Sequence, residues 1–539
     1  MAKRVVIVGA TGLFGGHLAQ ALAGRADIEL IVAGRSLAPL QTLAAQLNAT
    51  PQTLDRTAPG DTLKALRPFA VIDCSGPFQT YGYDFAQAVI DAGAHYLDIA
   101  DAPEFVAGIT TLDAAAKQAG LTAWSGASTT PALSSAIVAD LAQDLDQIDL
   151  IETAILPGNK TPRGLSVMQA ILGQVGVPFP RRYGGRTEHA IGWRDTTHIA
   201  PQVQNQRLSP RRAALVNTPD VALLPGVFNA RTTVARAGLE LALFHRALSI
   251  AATLRLPKLV SLAAPLRRVS QLFSGFGSDA GGMRVRVIGQ QNGHISERIW
   301  DMILPDGQGP KTPVQPAIIL LDQLLRGVAT PGARPAIAAF TRAQAEAQLA
   351  QISATFERRD TDITPIFQAV LGPDFAKLPQ PVQTLHRPAA VTRHMGEAQI
   401  ATATTSLAKL AALIGGFPLR GGTVPADVTI DAQGNAERWT RKLGSKTFHS
   451  VLTRTKDNRM TETFGPLTFD LNLQVQNGTL TFPVGQGRAF NLIPIPKFLT
   501  PISETSESTD PQGRFTFDVR LSLPNGALIV HYKGHLTPQ

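Results

Sequence analysis

Three glycines and a run of small residues set the first chemical possibility in this chain. Val5-Val6-Ile7-Val8-Gly9-Ala10-Thr11-Gly12-Leu13-Phe14-Gly15 places them at G-x-x-G-x-x-G spacing, after an apolar strand and at the start of a helix. Gly9 suits a sharp turn, Gly12 lets backbone approach a pyrophosphate, and Gly15 lets the helix pack closely on the strand. With Thr11, Leu13 and Phe14 completing the turn, the first helical amides supply donors and partial positive charge to phosphate oxygens. The chemistry implied is a cradle for a dinucleotide.

One strand later the chain reads Ala33-Gly34-Arg35-Ser36, where a site selective for NAD carries an acid for the ribose hydroxyls. Arg35, with the Ser36 hydroxyl and amide, is instead suited to a 2′-phosphate, because a guanidinium fork matches that oxyanion. NADP(H) is therefore the expected cofactor and NAD the alternative. Asp55, ending the next strand, is a candidate acceptor for the adenine amino group.

Cys74-Ser75-Gly76-Pro77-Phe78-Gln79-Thr80-Tyr81-Gly82 and Ala92-Gly93-Ala94-His95-Tyr96-Leu97-Asp98-Ile99-Ala100-Asp101 add a second set of motifs. With Gly126-Ala127-Ser128-Thr129-Thr130-Pro131, the turn Gly275 to Met283, and Asp306-Gly307-Gln308-Gly309, they make residues 3 to 345 resemble the saccharopine dehydrogenase-like NAD(P)-dependent oxidoreductases. From about residue 363 the chain is similar to a C-terminal domain of unknown function of the DUF4166 type. That part of the resemblance rests on His386, Gly415-Gly416-Phe417-Pro418, Glu437-Arg438-Trp439-Thr440-Arg441, Pro494-Ile495-Pro496 and Tyr532-Lys533-Gly534-His535-Leu536. The resemblance implies a Rossmann fold and a nicotinamide cofactor. It does not choose a substrate.

Hydride transfer needs a carbon held against the nicotinamide and a group that gives or takes a proton. Ser75, Gly76 and Pro77 are expected at the carboxyl end of the fourth strand, against the cofactor. Tyr81, Asp98 and Asp101 are the titratable candidates at the same crevice, with packing, a structural hydrogen bond and helix capping as their respective alternatives. No tyrosine has Lys four residues on, which argues against the Tyr-Lys chemistry of short-chain dehydrogenases. Cys74 reads as a small core residue rather than a nucleophile, and no metal site is expected because His and Cys nowhere take ligand spacing.

The elements that must position these groups are legible as alternation. Val5 to Val8, Glu29 to Ala33, Pro51 to Leu54, Ala70 to Cys74, His95 to Asp98 and Leu121 to Trp124 read as strands separated by helical stretches. That pattern predicts βαβ units and a doubly wound parallel sheet. The expected fold class is α/β: a Rossmann domain over 1–130, an α+β substrate or dimerisation domain with a return helix over 131–345, and a mainly antiparallel β domain over 363–539. Thr330 to Pro335 and Glu357 to Asp362 read as linker. The last domain is expected to fold independently and to hold an apolar or carrier-linked substrate, with Phe482, Phe490, Phe498, Pro494 and Pro496 as its apolar surface.

At 539 residues the chain is long enough for two or three domains. Its net charge of +9 comes without a basic, aromatic-rich run, so nucleic acid is not an expected partner. A lone cysteine and the absence of an apolar leader favour the cytoplasm. The apolar stretch Leu239 to Leu266 is interrupted by His245, Arg246, Arg255 and Lys258, so no transmembrane segment is expected. For the basic, apolar stretch Arg231 to Arg268, burial in the middle domain or in a homodimer interface is the expectation, and peripheral membrane contact is the alternative. The functional expectation is an oxidoreductase moving hydride to or from a carbonyl, imine or enoyl substrate. The alternative is a non-catalytic nucleotide-binding scaffold or redox sensor.

Overall fold

The apolar run before the glycine turn has no exposed surface at Val5, Val6 or Ile7, which is what the centre of a parallel sheet covered on both faces requires. In the computed structural model, which describes residues 2–161, 164–305 and 307–539, this run is strand β1 (Lys3–Val8). Asp306 lies outside the described residues. The strands that follow are β2 (Ile28–Gly34), β3 (Thr50–Thr53), β4 (Ala70–Asp73), β5 (His95–Asp98) and β6 (Thr122–Ser125). With Gly332–Pro335 they form a seven-stranded parallel sheet in the order Gly332–Pro335, β6, β5, β4, β1, β2, β3. The order reverses between β1 and β4, and the crevice beyond the carboxyl ends of those strands is where such sheets bind ligands.

Helix α1 (Leu13–Leu22) buries Gly15, Leu18, Ala19 and Leu22, one stripe at helical spacing. Helix α2 (Leu37–Leu47) follows β2. The return helix is Gln315–Leu325, and its Leu320, Leu321 and Leu324 share a core with Val5, Ile7 and Leu18.

Both passages expected as linker are strands. Gly332–Pro335 is the sheet's seventh strand, with Gly332 opposite Thr122 and Pro335 opposite Ser125. Proline is tolerated there because an edge strand uses only one side of its backbone for pairing. Glu357 to Asp362 lies inside Thr355–Ile363, an edge strand of a second, seven-stranded sheet. Its dense charge is that of a partly solvated edge. This second sheet centres on Gln147–Leu156, which runs parallel to Thr233–Leu239, and the latter pairs antiparallel with Arg211–Leu215.

The chain forms two compact units: residues 1–182, 187–287 and 298–360 in one, and 183–186, 288–297 and 361–539 in the other. The second contains a fourteen-stranded antiparallel sheet. Phe448, Ser450 and Leu452 of Lys446–Arg454 are buried while Thr447, His449 and Val451 face solvent, the period-two pattern of a sheet with one covered face. The alternating stretch Leu467 to Val475 reads in the sequence as one strand but is two: Leu467–Leu471 pairs with Met460–Phe464, and Gln474–Gln476 begins a separate hairpin. Apolar alternation runs through the break, so the pattern does not reveal it. Among the described residues, no helix is long and apolar enough to cross a membrane, which says nothing about strands.

Candidate functional site

The three glycines have distinct physical reasons for lacking a side chain. Gly9 sits at φ +77°, where a Cβ would press on the backbone of Cys74 and Ser75 at 3.0 Å. Its carbonyl accepts from the Gly12 amide at 2.9 Å, closing the turn. A Cβ on Gly15 would collide with the Gly9 carbonyl, so close approach of α1 to its own turn depends on that hydrogen. Gly12 is the N-cap of α1, has no side chain to occupy the orphan amides, and the first turn carries no acid. The helix therefore presents uncapped donors and its positive end to a cavity of about 980 Å³.

Gly9, Thr11, Gly12, Leu13 and Phe14 line that cavity, as do Arg35, Asp55, Ser75, Gly76, Pro77, Tyr81 and Asp101. Gly15, Ser36 and Asp98 do not. Arg35 is exposed at the end of β2. Ser36 caps α2 without a side-chain hydrogen bond, which leaves its hydroxyl and the helix amides uncommitted. Asp55 accepts from the Thr57 amide at 2.9 Å and the Thr57 hydroxyl at 2.7 Å, and these bonds hold its carboxyl below the usual carboxylate range.

The loop after β4 is organised by a residue the sequence reading passed over. Buried Asp73 accepts from the Ser75 amide at 2.9 Å and the Ser75 hydroxyl at 2.5 Å, and its other oxygen accepts from Arg56 Nε at 3.1 Å. The Arg56 guanidinium in turn lies 3.8 Å over the ring of Tyr81. Tyr81 is thus half-exposed in the cavity wall with its ring face held by a cation.

Asp98 is fully buried. One oxygen accepts from the Ser125 hydroxyl at 3.0 Å and from the amides of Gly126 at 2.8 Å and Ala100 at 3.0 Å. Burial outweighs those bonds and pushes its pKa up to about 6. Asp101 is accessible to solvent inside the cavity yet ringed by protein, which raises its pKa, and the Gln79 side-chain amide donates to it at 3.4 Å. Cys74 lines the cavity, and burial pushes its thiol pKa well up.

The cavity continues beyond the Rossmann strands over Thr153, Trp193, Asn217 and Thr312. There the indole N–H of Trp193 and the hydroxyls of Thr161, Thr218 and Thr312 are buried without hydrogen-bond partners among the described residues. Unsatisfied donors of this kind are costly unless something polar completes them. Sequence reasoning missed all four, together with Asp73 and Arg56. Asp73 carried a signal, an acid at the end of an apolar parallel strand, whereas the others come together only through the fold.

Residues 5–124 match the family described as the saccharopine dehydrogenase NADP binding domain. Residues 378–536 match a domain of unknown function, DUF4166. No curated protein matches the chain. Among solved structures, apo saccharopine dehydrogenase (L-Glu forming) from Saccharomyces cerevisiae is similar at 13% identity, covering 67% of this chain and 100% of that one with a TM-score of 0.47. Biliverdin reductase from Synechocystis sp. PCC 6803, in complex with biliverdin and NADP+, is similar at 13% identity, covering 65% of this chain and 96% of that one with a TM-score of 0.29.

Proposed function

From a chain that opens with a saccharopine dehydrogenase-type NADP-binding domain and closes with a DUF4166 domain, we propose an NADP(H)-dependent oxidoreductase acting on a carbonyl, imine or enoyl substrate. One observation carries the reading: the uncapped end of α1, behind Gly9 and Gly12, opens on a large cavity whose wall also holds donors unpartnered among the described residues. Gly9, Thr11, Gly12, Leu13 and Phe14 take the pyrophosphate, with Gly15 keeping the turn tight. Arg35 and Ser36 take the 2′-phosphate, with NAD the weaker alternative. Asp55 faces the adenosine side, and Ser75, Gly76 and Pro77 form the wall beside the nicotinamide, which when bound supplies or accepts the hydride. Tyr81 and Asp101 are the groups that move the proton. Asp98 acts as a positioning residue through the backbone of Ala100 and Gly126, and the Trp193 N–H donates to a substrate oxygen.

The test is NADPH oxidation by the full-length protein across ketones, imines and enoyl thioesters, with cofactor binding measured by calorimetry. Turnover of one class above the blank is the expected result. Tight binding with no turnover in any class would overturn catalysis and leave a nucleotide-binding scaffold.

A second reading concerns where the protein works. Leu243, Ile250, Leu254, Leu272 and Phe276 are each more than half exposed on the helices Ala242–Leu254 and Ala263–Leu272 and the turn after them. No acid occurs between Glu240 and Asp279, whereas Arg246, Arg255, Lys258, Arg267 and Arg268 do. We propose that this face rests on an anionic membrane surface of the cytoplasm, basic residues meeting headgroups and leucines the acyl boundary. Flotation with phosphatidylserine vesicles but not with neutral ones is expected. Concentration-dependent dimers without flotation would assign the face to a second copy instead.

A further inference from the structure

The second compact unit contains a cavity of about 450 Å³ that the redox reading does not use. Val428, Leu452, Phe469 and Phe517 of the sheet line it, and Leu410 and Ala411 of the helix Ser406–Ile414 line it from another side. The volume lies in the range of small-molecule sites. The hydrocarbon part of this space offers ordered water none of the two to four polar partners it needs.

Several residues both line the cavity and remain exposed. Leu407 and Leu410 do so on the helix, and Ile493 and Leu499 on the segment after the strand Val484–Ala489. They mark a mouth rimmed by hydrocarbon. The polar lining gathers elsewhere. Arg441 donates to the Ser450 hydroxyl at 2.7 Å and reaches Glu462 at 3.5 Å, and Glu507 is 2.5 Å from His386 Nε2. The charges of Arg441, Glu462 and Glu507 all act on Tyr532, a buried residue whose hydroxyl makes no hydrogen bond among the described residues. This pole offers a donor and acceptors, and each of its basic side chains already has a carboxylate, Arg441 facing Glu462 and His386 facing Glu507. A carboxylate ligand would meet two carboxylates and no uncommitted cation among the described residues, while a hydroxyl or carbonyl oxygen would complete the pole.

We propose that this cavity binds one neutral hydrocarbon-chain molecule with a single hydroxyl or carbonyl head, tail toward the mouth between Leu410 and Ile493 and head at Tyr532 and Arg441. The proposal is independent of the redox reading, because every residue it uses lies in the second unit.

The test uses the full-length protein and the neutral fluorophore N-phenyl-1-naphthylamine, displaced by dodecan-1-ol or by dodecanoate. The fluorophore is expected to brighten on binding, with dodecan-1-ol displacing it at least tenfold more effectively than dodecanoate. Ala411→Trp fills the cavity from the helix and should cut fluorophore binding tenfold or more, with NADPH affinity unchanged. Leu410→Glu, at an exposed position on the rim, repeats the test should the tryptophan disturb folding. Tyr532→Phe should weaken the alcohol while sparing the fluorophore. No brightening with the wild type, or brightening that both rim and cavity variants retain, would overturn the site. Tighter binding of dodecanoate than of the alcohol would overturn the assignment of the head group.

Discussion

Arg56, in the turn after β3, and Asp73, the last residue of β4, meet at one carboxylate oxygen of a fully buried acid: Nε donates to it at 3.1 Å, and Nη2 lies 2.9 Å away in the ion pair. Their pairing divides the labour between two arginines of the same crevice. Arg56 has its charge compensated by Asp73, and it holds Tyr81 from above. Arg35 is exposed and makes no ion pair among the described residues, and Asp55, whose carboxyl feels its charge, is engaged by Thr57. A guanidinium without a carboxylate partner is the one available to a phosphate.

Arg35→Asp is therefore expected to weaken NADPH about 10- to 100-fold, the worth of one or two charge-assisted hydrogen bonds, and NADH by no more than about threefold. Calorimetric titration of both cofactors checks this. Equal losses would make Arg35 a structural residue and remove the basis for an NADP preference.

Gly12 and Gly15 should fail in different ways. A Cβ at position 15 meets the backbone of Gly9 and Ala10, which cannot yield without opening the turn, so Gly15→Ala should destabilise the first unit by about 2 kcal/mol or more. A Cβ at position 12 meets only the Gly9 carbonyl at 3.2 Å. Gly12→Val should keep the fold and abolish cofactor binding, since the side chain stands where phosphate approaches. Thermal melts read beside calorimetry separate the two effects. Retained micromolar NADPH affinity in Gly12→Val would remove the phosphate cradle.

The difference between these glycines also indicates what was legible in the sequence. Local pattern was enough for β1, β2 and β4, because a buried parallel strand is a continuous apolar run and the glycine turn has a fixed spacing, whereas β3, an edge strand of Thr-Pro-Gln-Thr, was legible only by its place between helical stretches. Pattern misled where the cue was composition. Prolines 331 and 335 and the charges of Glu357 to Asp362 resemble a linker, yet pairing with β6 and with the second sheet overrides that propensity. The crevice was legible as a loop set but not as an arrangement. Asp98 and Asp101 stand three residues apart in sequence, and one is sealed beneath the β6 turn while the other opens on the cavity. Trp193, Thr218 and Thr312 come to that cavity from remote segments, so no window of sequence contains them together.

The opposed settings of Tyr81 and Asp101 make the proton donor separable by pH. Burial raises the Asp101 pKa, so the carboxylic acid persists to higher pH than an ordinary aspartate. If Asp101 donates, kcat/KM for reduction is full below that pKa and declines as pH rises through it. Asp101→Asn should remove that limb and lower kcat by about 10²- to 10⁴-fold. Tyr81→Phe should then cost far less. The reverse ranking in a pH series of NADPH oxidation would transfer the role to Tyr81.

Trp193→Phe removes an unpartnered donor while keeping an aromatic ring in the cavity wall. Because the indole N–H has no acceptor among the described residues, the variant should lose little stability. If the N–H binds a substrate oxygen, KM should rise about tenfold, the worth of one hydrogen bond, with NADPH affinity unchanged. An unaltered KM for every accepted substrate would leave the indole as wall alone.

Glu437 offers a prediction that depends on no function. Its side chain is fully buried, one oxygen accepts from Trp439 Nε1 at 3.0 Å, and the other has no partner among the described residues. Burial pushes its pKa up to about 7, with Glu507 adding to the rise and Trp439 and His386 opposing it. An unfolded glutamate titrates near 4.5. Below that value both states are protonated and the fold bears no penalty. Between 4.5 and about 7 the unfolded chain releases its proton while the folded one keeps it, so stability falls as pH rises, and above about 7 the loss is complete. The full span amounts to about 3 kcal/mol. Glu437→Gln keeps a carbonyl acceptor for Trp439 and removes the proton, so the second unit should lose this slope and melt higher than the wild type at pH 8. His386 and Glu507 stay in both proteins, so scanning calorimetry of the two full chains from pH 5 to 8 reads Glu437 itself. Melting temperatures that run parallel across that range would show that Glu437 is not a buried neutral acid.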